Sequence, residues 1–445
     1  EFMAYLEFAT WTKKELNKEA LNDKDSLESR KKKIQKIKEL FSDRLIIIDE
    51  VHNIRDVREG DGTEEKKIKN KLKGTTEHFK TLVTYADNVK LLLLTGTPMY
   101  NEYKEIIWLL NLMNLNDNRY FIEESDIFDN DGEFVKDDDG NEIGKDILIQ
   151  KSRGYVSFVK GEDPFMFPFR VYPEHDTTLQ YDANSLNKLK RNNSDYYPKK
   201  QLNGMDIPVR RNETRGVQYL DIFMTKIGEI QKDIYENYIK KLMKDSPNLK
   251  NFEKFSYGML STPSQLLNIC YPSDERDIKY KYGERGLGEI MKFNKTSWKE
   301  FEYKENHEGF FKIDKLKEYS GKITRIIKEI VASTGIILVY SQYIAGGCIP
   351  VALALEEAGY SKYGGSIFKR SPAGENKGEY IMITGQTKSK ELIKTLNLCN
   401  SKENKDGTKI KVVIISRAGS EGLDFANIRQ VHILDAWYNL NRTGQ

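Results

Sequence analysis

The strongest constraint on the fold of this chain is a recurring pattern, in which a short apolar run ends abruptly in polar residues. Runs of this length are typical of strands that are buried on both faces of a parallel sheet. Stretches with helical spacing, such as Asn101–Leu115 and Ile349–Ala358, separate the runs. This alternation predicts an α/β architecture with parallel sheets. The runs are Leu45–Ile48, Leu91–Leu94, Ile336–Tyr340, Val412–Ile415 and Val431–Leu434.

Polar clusters follow four of these runs, at the positions where the predicted strands end. Ligands of open α/β sheets bind at the carboxyl ends of the strands, so polar residues at several strand ends indicate function better than one motif does. The clusters are Asp49-Glu50, Thr95-Gly96-Thr97, Ser341-Gln342 and Ser416-Arg417.

The first two clusters have the chemistry that ATP hydrolysis requires. Phosphoryl transfer needs a magnesium ion, an oriented water molecule and a clamp for the transferring charge. Asp49 can hold Mg²⁺, Glu50 can orient and deprotonate the attacking water, and the hydroxyls of Thr95 and Thr97 can sense the phosphate. His52 can couple this site to a second wall of the cleft. Each feature also has an ordinary explanation: an acidic strand end, a structural histidine cap, and a turn before a helix.

In their order and spacing, these residues resemble the motifs of superfamily 2 helicases and translocases. Asp49-Glu50-Val51-His52 resembles motif II, and Thr95–Pro98 resembles motif III. Ile337–Gln342 is similar to motif IV, and Ser416–Asp424 resembles motif V, which touches nucleotide and nucleic acid. The resemblance implies two RecA-like lobes of the P-loop NTPase type, with ATP bound between them, Mg²⁺ as the metal, and DNA or RNA as the track.

The resemblance also implies a role for each matched position. Asp49, Glu50 and His52 would be catalytic, with Asp49 as the Mg²⁺ ligand, and Gln445 would be catalytic as the first residue of motif VI. Nucleotide binding and coupling would involve Thr95, Gly96, Thr97, Gly419, Glu421, Gly422 and Asp424. Nucleic acid would contact Ser341, Gln342, Ser416 and Arg417.

Further segments resemble the helicases of nucleocytoplasmic large DNA viruses. That group includes poxvirus nucleoside triphosphatase I, the poxvirus early transcription factor, and mimivirus and asfarvirus relatives. The resemblance covers nearly the whole chain, apart from loops at 129–145 and 188–211, and it implies a role in viral transcription. The group usually reads Glu-Pro-Trp where this chain has Asp435-Ala436-Trp437, so the local turn can differ. The matching segments are Arg153–Phe158, Gly161–Pro164, Phe167-Pro168, Gln231–Tyr235, Pro263–Pro272, Tyr319–Ile323, Ala354–Glu356 and Ile428–Leu434.

We predict a first RecA-like lobe at 1–165, a mostly helical connecting region at 166–320, and a second RecA-like lobe at 321–445. No phosphate-binding loop of the form G-x-x-x-x-G-K-S/T occurs in the sequence, and motif VI would begin only at Gln445. The arginine fingers of that motif are worth roughly 10³–10⁵ in rate. We therefore expect this polypeptide alone to be nearly inactive and its longer parent to be an ATPase.

Overall composition says little about the partner. Lysine and arginine number 71 against 68 acidic residues, so a nucleic-acid surface has to come from local patches. Lys199, Lys200, Arg210 and Arg211 form one such group, although a solvated surface loop is the better explanation of them. The three cysteines lack zinc-ligand spacing. No apolar run approaches the roughly 20 residues that cross a bilayer, so we expect an intracellular protein without a membrane partner.

Three functions stay open. The leading one is an ATP-dependent translocase of viral transcription, with DNA favoured over RNA as the track and viral RNA polymerase as a partner. Its expected location is the viral factory in the host cytoplasm, or the virion. The second is a helicase that separates the strands of DNA or RNA. The third, of another class, is a non-catalytic scaffold that binds DNA or polymerase; the intact Asp49 and Glu50 argue against it.

Overall fold

The computed structural model describes residues 2–18, 27–54, 75–99, 103–129, 132–158, 225–245, 257–372, 374, 376–417 and 423–436. The chain divides into two compact units, Glu1–Phe169 and Arg170–Gln445. Among the helices described, none combines the length and the apolar character that a membrane span requires.

In the part of the first unit that the structure describes, two parallel strands have helices packed against them. Strand β1 (Leu45–Ile48) pairs with β2 (Lys90–Leu93) in the register Ile48 to Leu93, so the two strands end side by side. A short 3₁₀ turn, Val51–Asn53, follows β1. The helices are α1 (Tyr5–Lys18), α2 (Leu27–Phe41), α3 (75–85), α4 (Glu105–Asn116), α5 (Glu124–Ile127) and α6 (Ile143–Ser152).

Helices cover one face of this small sheet. Ile48 packs into a core with Phe41, Phe79 and other buried residues of α2, α3 and α4. On the other face, Leu45 and Ile47 are 63% and 56% exposed. The prediction that β1 is buried on both faces is therefore wrong for the described residues, because the described helices pack on one side.

The second unit is built on a five-stranded parallel sheet with the strand order β6-β7-β8-β5-β9. The central strand β8 is buried along its whole length, whereas β9 forms an edge and is buried less. Ser341 of β5 pairs with Ser416 of β8, which places the ends of these strands next to each other. The strands are β5 (Ile336–Ser341), β6 (Ser361–Lys362), β7 (Glu379–Ile383), β8 (Ile410–Ser416) and β9 (Ile428–Ile433). An antiparallel hairpin of β3 (Met291–Asn294) and β4 (Lys299–Tyr303) precedes them.

One helix of the second unit shows how its sequence fixes both its start and its buried face. The helix Gly321–Ala332 begins at Ser320, whose hydroxyl accepts a hydrogen bond from the backbone of Ile323, as expected of an N-cap. It buries isoleucines at helical spacing against the sheet, at positions 323, 326, 327 and 330. The helices are α7 (Glu229–Asp245), α8 (Tyr257–Asn268), α9 (Gly283–Ile290), α10 (Ile313–Leu316), α11 (Gly321–Ala332), α12 (Ile349–Glu357) and α13 (Ser389–Cys399).

One core joins this sheet to the elements before it. Tyr271, Phe310 and Phe311 lie in the same buried cluster as Ile327 and Val412. Residues 257–320 thus pack together with the strands of the second unit. The predicted α/β class with parallel sheets is confirmed, and the division at 165 and 320 stays a prediction.

Candidate functional site

The ends of β1 and β2 bring the first two predicted clusters together. The backbone N–H of Leu94 donates to the carbonyl of Ile48 at 2.9 Å, and the N–H of Val51 donates to the carbonyl of Leu94 at 3.0 Å. These bonds extend the parallel pairing past the strands themselves. As a result, the residues after Ile48 and those after Leu94 share one edge of the sheet.

His52 links the two clusters directly. Its Nδ1 atom lies 2.8 Å from the Thr95 hydroxyl and 3.4 Å from the Thr97 hydroxyl. The same nitrogen is 3.3 Å from a carboxylate oxygen of Glu50. The backbone N–H of Thr97 also donates to the Thr95 hydroxyl at 3.0 Å. With only 2% of its surface exposed, His52 forms a buried bridge between the predicted catalytic base and the threonine turn.

The two carboxylates of this site differ in setting. Asp49 is exposed, and its Oδ1 accepts a hydrogen bond from the backbone N–H of Glu50 at 3.0 Å. Among the described residues, none bonds to its Oδ2, which leaves that oxygen available to a ligand. Glu50 is half-exposed and has left-handed backbone angles, φ 50° and ψ 45°.

This setting fits a magnesium ion that arrives with a phosphate. Mg²⁺ usually takes one or two protein carboxylates and completes its shell with water and substrate phosphates. The described residues contain no group of three His, Cys, Asp or Glu side chains that could hold a metal by themselves. A single exposed aspartate therefore suits a nucleotide-borne ion better than a structural metal.

Tyr5 belongs to the same site, although nothing in the sequence pattern singled it out. Its hydroxyl donates to the backbone carbonyl of Asp49 from the start of α1. Burial, together with the negative charges of Asp49 and Glu50, raises the pKa of the Tyr5 hydroxyl to about 12. The contact joins residues 44 positions apart, which local sequence patterns cannot reveal.

A second polar cluster lies in the second unit, where β5 and β9 end. Asp435 is 4% exposed, and its carboxylate accepts three hydrogen bonds. The donors are the Asn268 amide at 2.7 Å, the Ser341 hydroxyl at 2.5 Å and the backbone N–H of Gln342 at 2.8 Å. The carboxylate thus joins the end of α8 to the residues predicted from motif IV.

Lys322 completes this cluster from α11. Its ammonium donates to the Leu434 carbonyl at 2.8 Å and to the Asn268 side-chain oxygen at 3.2 Å. Burial lowers the pKa of Lys322, and the charge of Asp435 opposes that shift. Burial likewise raises the pKa of Asp435, while its three hydrogen-bond donors and Lys322 counteract it. The viral group usually has Glu-Pro-Trp where this chain has Asp435-Ala436-Trp437. The first residue is thus a carboxylate in both patterns, and in this chain it has a structural role.

The remaining predicted residues divide into exposed, buried and undescribed ones. Gln342 is partly exposed and Arg417 exposed, while Ser341 and Ser416 are 1% and 3% exposed. Direct contact with nucleic acid is consequently easier for Gln342 and Arg417 than for the two serines. Asp424 is exposed, and its backbone carbonyl accepts a bond from Asn400 at 2.8 Å. The predicted residues Gly419, Glu421, Gly422 and Gln445 lie outside the described residues.

Comparison with known proteins gives one family match and several viral relatives. The helicase conserved C-terminal domain matches residues 321–445. A protein of Acanthamoeba polyphaga mimivirus, named as an ATP-dependent RNA helicase, is 23% identical over 430 residues, covering 91% of this chain and 56% of that protein. The termination factor NPH-I homolog of African swine fever virus is 23% identical over 440 residues, 90% of this chain and 52% of its own length.

A third relative comes from an insect poxvirus. The nucleoside triphosphatase I of Melanoplus sanguinipes entomopoxvirus is 23% identical over 396 residues, covering 88% of this chain and 50% of that protein. This chain spans about half the length of these three relatives.

Proposed function

Because the chain belongs to the superfamily 2 helicases of large DNA viruses, we propose that its parent protein is an ATP-driven motor on nucleic acid. One observation carries the proposal: Asp49, Glu50 and the threonine turn meet at neighbouring strand ends and are connected through His52. A catalytically silent scaffold has no need of that connection.

The chain's own residues suit distinct steps of ATP hydrolysis. When bound, Mg²⁺ neutralises charge on the transferring phosphate, and the free Oδ2 of Asp49 is placed to ligate it. The half-exposed carboxylate of Glu50 can accept the proton of the attacking water. Since His52 contacts both Glu50 and Thr95, a change in the charge of Glu50 reaches the threonine turn within one side chain. We propose this route as the coupling between hydrolysis and movement.

Gln342 and Arg417 are the proposed contacts to the track. They follow the adjacent strands β5 and β8, and both have exposed surface. Contacts to the phosphate backbone of a nucleic acid tolerate any base sequence and weaken as the salt concentration rises. We favour DNA as the track and viral transcription as the process, since one relative is named as a termination factor. Viral RNA polymerase is the proposed partner, and the viral factory or the virion is the proposed location.

The test is ATPase turnover of the parent protein, with and without single- and double-stranded DNA and RNA. We expect one nucleic acid to stimulate turnover and Glu50→Gln to abolish it. Glu39→Gln, at an exposed glutamate of the same unit, is the matched control and should retain turnover. The 445-residue chain should be nearly inactive, because it lacks the phosphate-binding loop motif. Equal turnover of Glu50→Gln and wild type would refute the proposal.

Strand separation is the alternative, favoured by the relatives named as RNA helicases. An unwinding assay distinguishes the two functions. A strand-separating enzyme releases a labelled strand from a tailed duplex during ATP hydrolysis, whereas a translocase hydrolyses ATP and leaves both tailed and blunt duplexes intact.

A further inference from the structure

The peptide between Asp49 and Glu50 is held at both of its polar ends by side chains. Its carbonyl accepts a hydrogen bond from the Tyr5 hydroxyl, and its N–H donates to Asp49 Oδ1 at 3.0 Å. Neither group belongs to the ladder between β1 and β2. The orientation of this peptide therefore depends on two side chains rather than on the sheet.

This peptide precedes a strained residue. Glu50 has φ 50°, a region that residues with a side chain rarely adopt because Cβ crowds the following carbonyl. Reversal of the preceding peptide would bring Glu50 towards negative φ and relieve the strain. The following backbone is fixed, since Val51 donates to Leu94 at 3.0 Å and Asn53 donates to Glu50 at 2.9 Å. Strain at Glu50 would thus be relieved by rotation of the Asp49–Glu50 peptide, whose carbonyl is the one that Tyr5 contacts.

Helix α1 holds the Tyr5 hydroxyl at that carbonyl. The Tyr5 ring packs on the core of the first unit together with Phe8 and Trp11. Phe8 stacks on Phe79 with ring centres 4.6 Å apart, and Trp11 meets Phe41 edge-on at 6.1 Å. Because Tyr5, Phe8 and Trp11 all pack on this core, the helix that carries the Tyr5 hydroxyl is itself held in place.

We propose that Tyr5 is a positioning residue of the ATPase centre, which holds the Asp49–Glu50 peptide so that the Glu50 carboxylate stays beside His52. The proposal rests on the proposed ATPase function. It adds a residue far from the motif in sequence and assigns α1 a task in catalysis.

The test is Tyr5→Phe in the parent protein, with saturating nucleic acid. This substitution removes one oxygen and keeps the packed ring. We expect kcat to fall roughly 2- to 10-fold, the range given by loss of one hydrogen bond, while KM for ATP stays within about 2-fold. The Mg²⁺ concentration that gives half-maximal turnover should rise, because the same peptide belongs to Asp49, the proposed Mg²⁺ ligand. Tyr85→Phe, at an exposed tyrosine of α3, is the control and should match wild type.

Three outcomes separate the possibilities. A Tyr5→Phe enzyme with wild-type kcat and Mg²⁺ dependence overturns the positioning role while leaving the ATPase proposal intact. A fall in kcat accompanied by an equal change in KM and a lower melting temperature also overturns it, because general loss of structure would explain the result. A wild-type parent without turnover refutes the proposed function, and the role of Tyr5 falls with it.

Discussion

Replacing Asp435 by asparagine should destabilise the second unit strongly, although the substitution changes only one side-chain atom. The change keeps the shape of the side chain but converts one acceptor oxygen into an NH₂ donor. The remaining oxygen can still accept from Asn268 and Ser341, which approach the same carboxylate oxygen. The new NH₂ group then faces the backbone N–H of Gln342, so two donors meet and neither is satisfied.

The magnitude follows from the groups left behind. One buried donor without an acceptor costs about 1–3 kcal/mol. Lys322 also loses its neighbouring negative charge while it stays buried, and breaking such a pair costs about 3–5 kcal/mol when no other group compensates. Lys322 keeps two acceptors, Leu434 and Asn268, which reduces the second contribution. We expect a total loss of roughly 2–4 kcal/mol in the free energy of unfolding.

Hydrogen exchange of the β8 amides measures this loss, since a fully buried central strand exchanges through unfolding of its unit. Asp424→Asn, at an exposed carboxylate of the same unit, is the control and should change the free energy by less than about 0.5 kcal/mol. Adding Lys322→Met to Asp435→Asn should cost less than the sum of the two single changes, because the groups interact. A loss below about 0.5 kcal/mol for Asp435→Asn would refute the reasoning about this buried network.

Three further results follow from the same structure. Arg417→Ala should reduce the slope of log affinity for nucleic acid against log salt by about 1, whereas Lys409→Ala, at the opposite end of β8, should leave it unchanged in a binding titration. Gly347→Ala should lower the free energy of unfolding by about 1–3 kcal/mol, because a Cβ there would lie 1.9 Å from the Ser341 hydroxyl at the end of β5. The control is Gly288→Ala, whose Cβ would meet no atom within 4 Å and which should not destabilise the protein. Tyr5 has a folded pKa of about 12, above its unfolded value of 10.0. Its contribution to stability is therefore complete below pH 10 and is lost as pH rises towards 12. Denaturation across that range should show a smaller decline for Tyr5→Phe than for wild type, and equal declines would contradict the assignment.

All five apolar runs predicted as strands overlap strands of the structure, and the two clusters predicted for ATP chemistry lie together because parallel pairing brings strand ends to one edge. Strand β7 (Glu379–Ile383) was not predicted, since it begins with a glutamate, contains a methionine and follows a glycine-rich segment. The hairpin Met291–Tyr303 mixes charged and apolar residues and resembles a surface loop in sequence. The contact of Asn268 with Asp435 spans 167 residues, and no local periodicity contains that information.

Both polar clusters also bear on how the strands select their register. The runs in β1, β2 and β5 are almost uniformly aliphatic, so a shift of one residue would exchange one apolar side chain for another. His52 reaches Thr95 only when Ile48 stands beside Leu93, and Asp435 reaches Ser341 only in the observed pairing of β5 with β9. A shifted register would leave these buried polar groups without partners, at a cost that the apolar residues do not impose. We infer that the site residues help to specify the sheets on which they sit. Loss of activity in any site variant is therefore informative only beside a measurement of its folding.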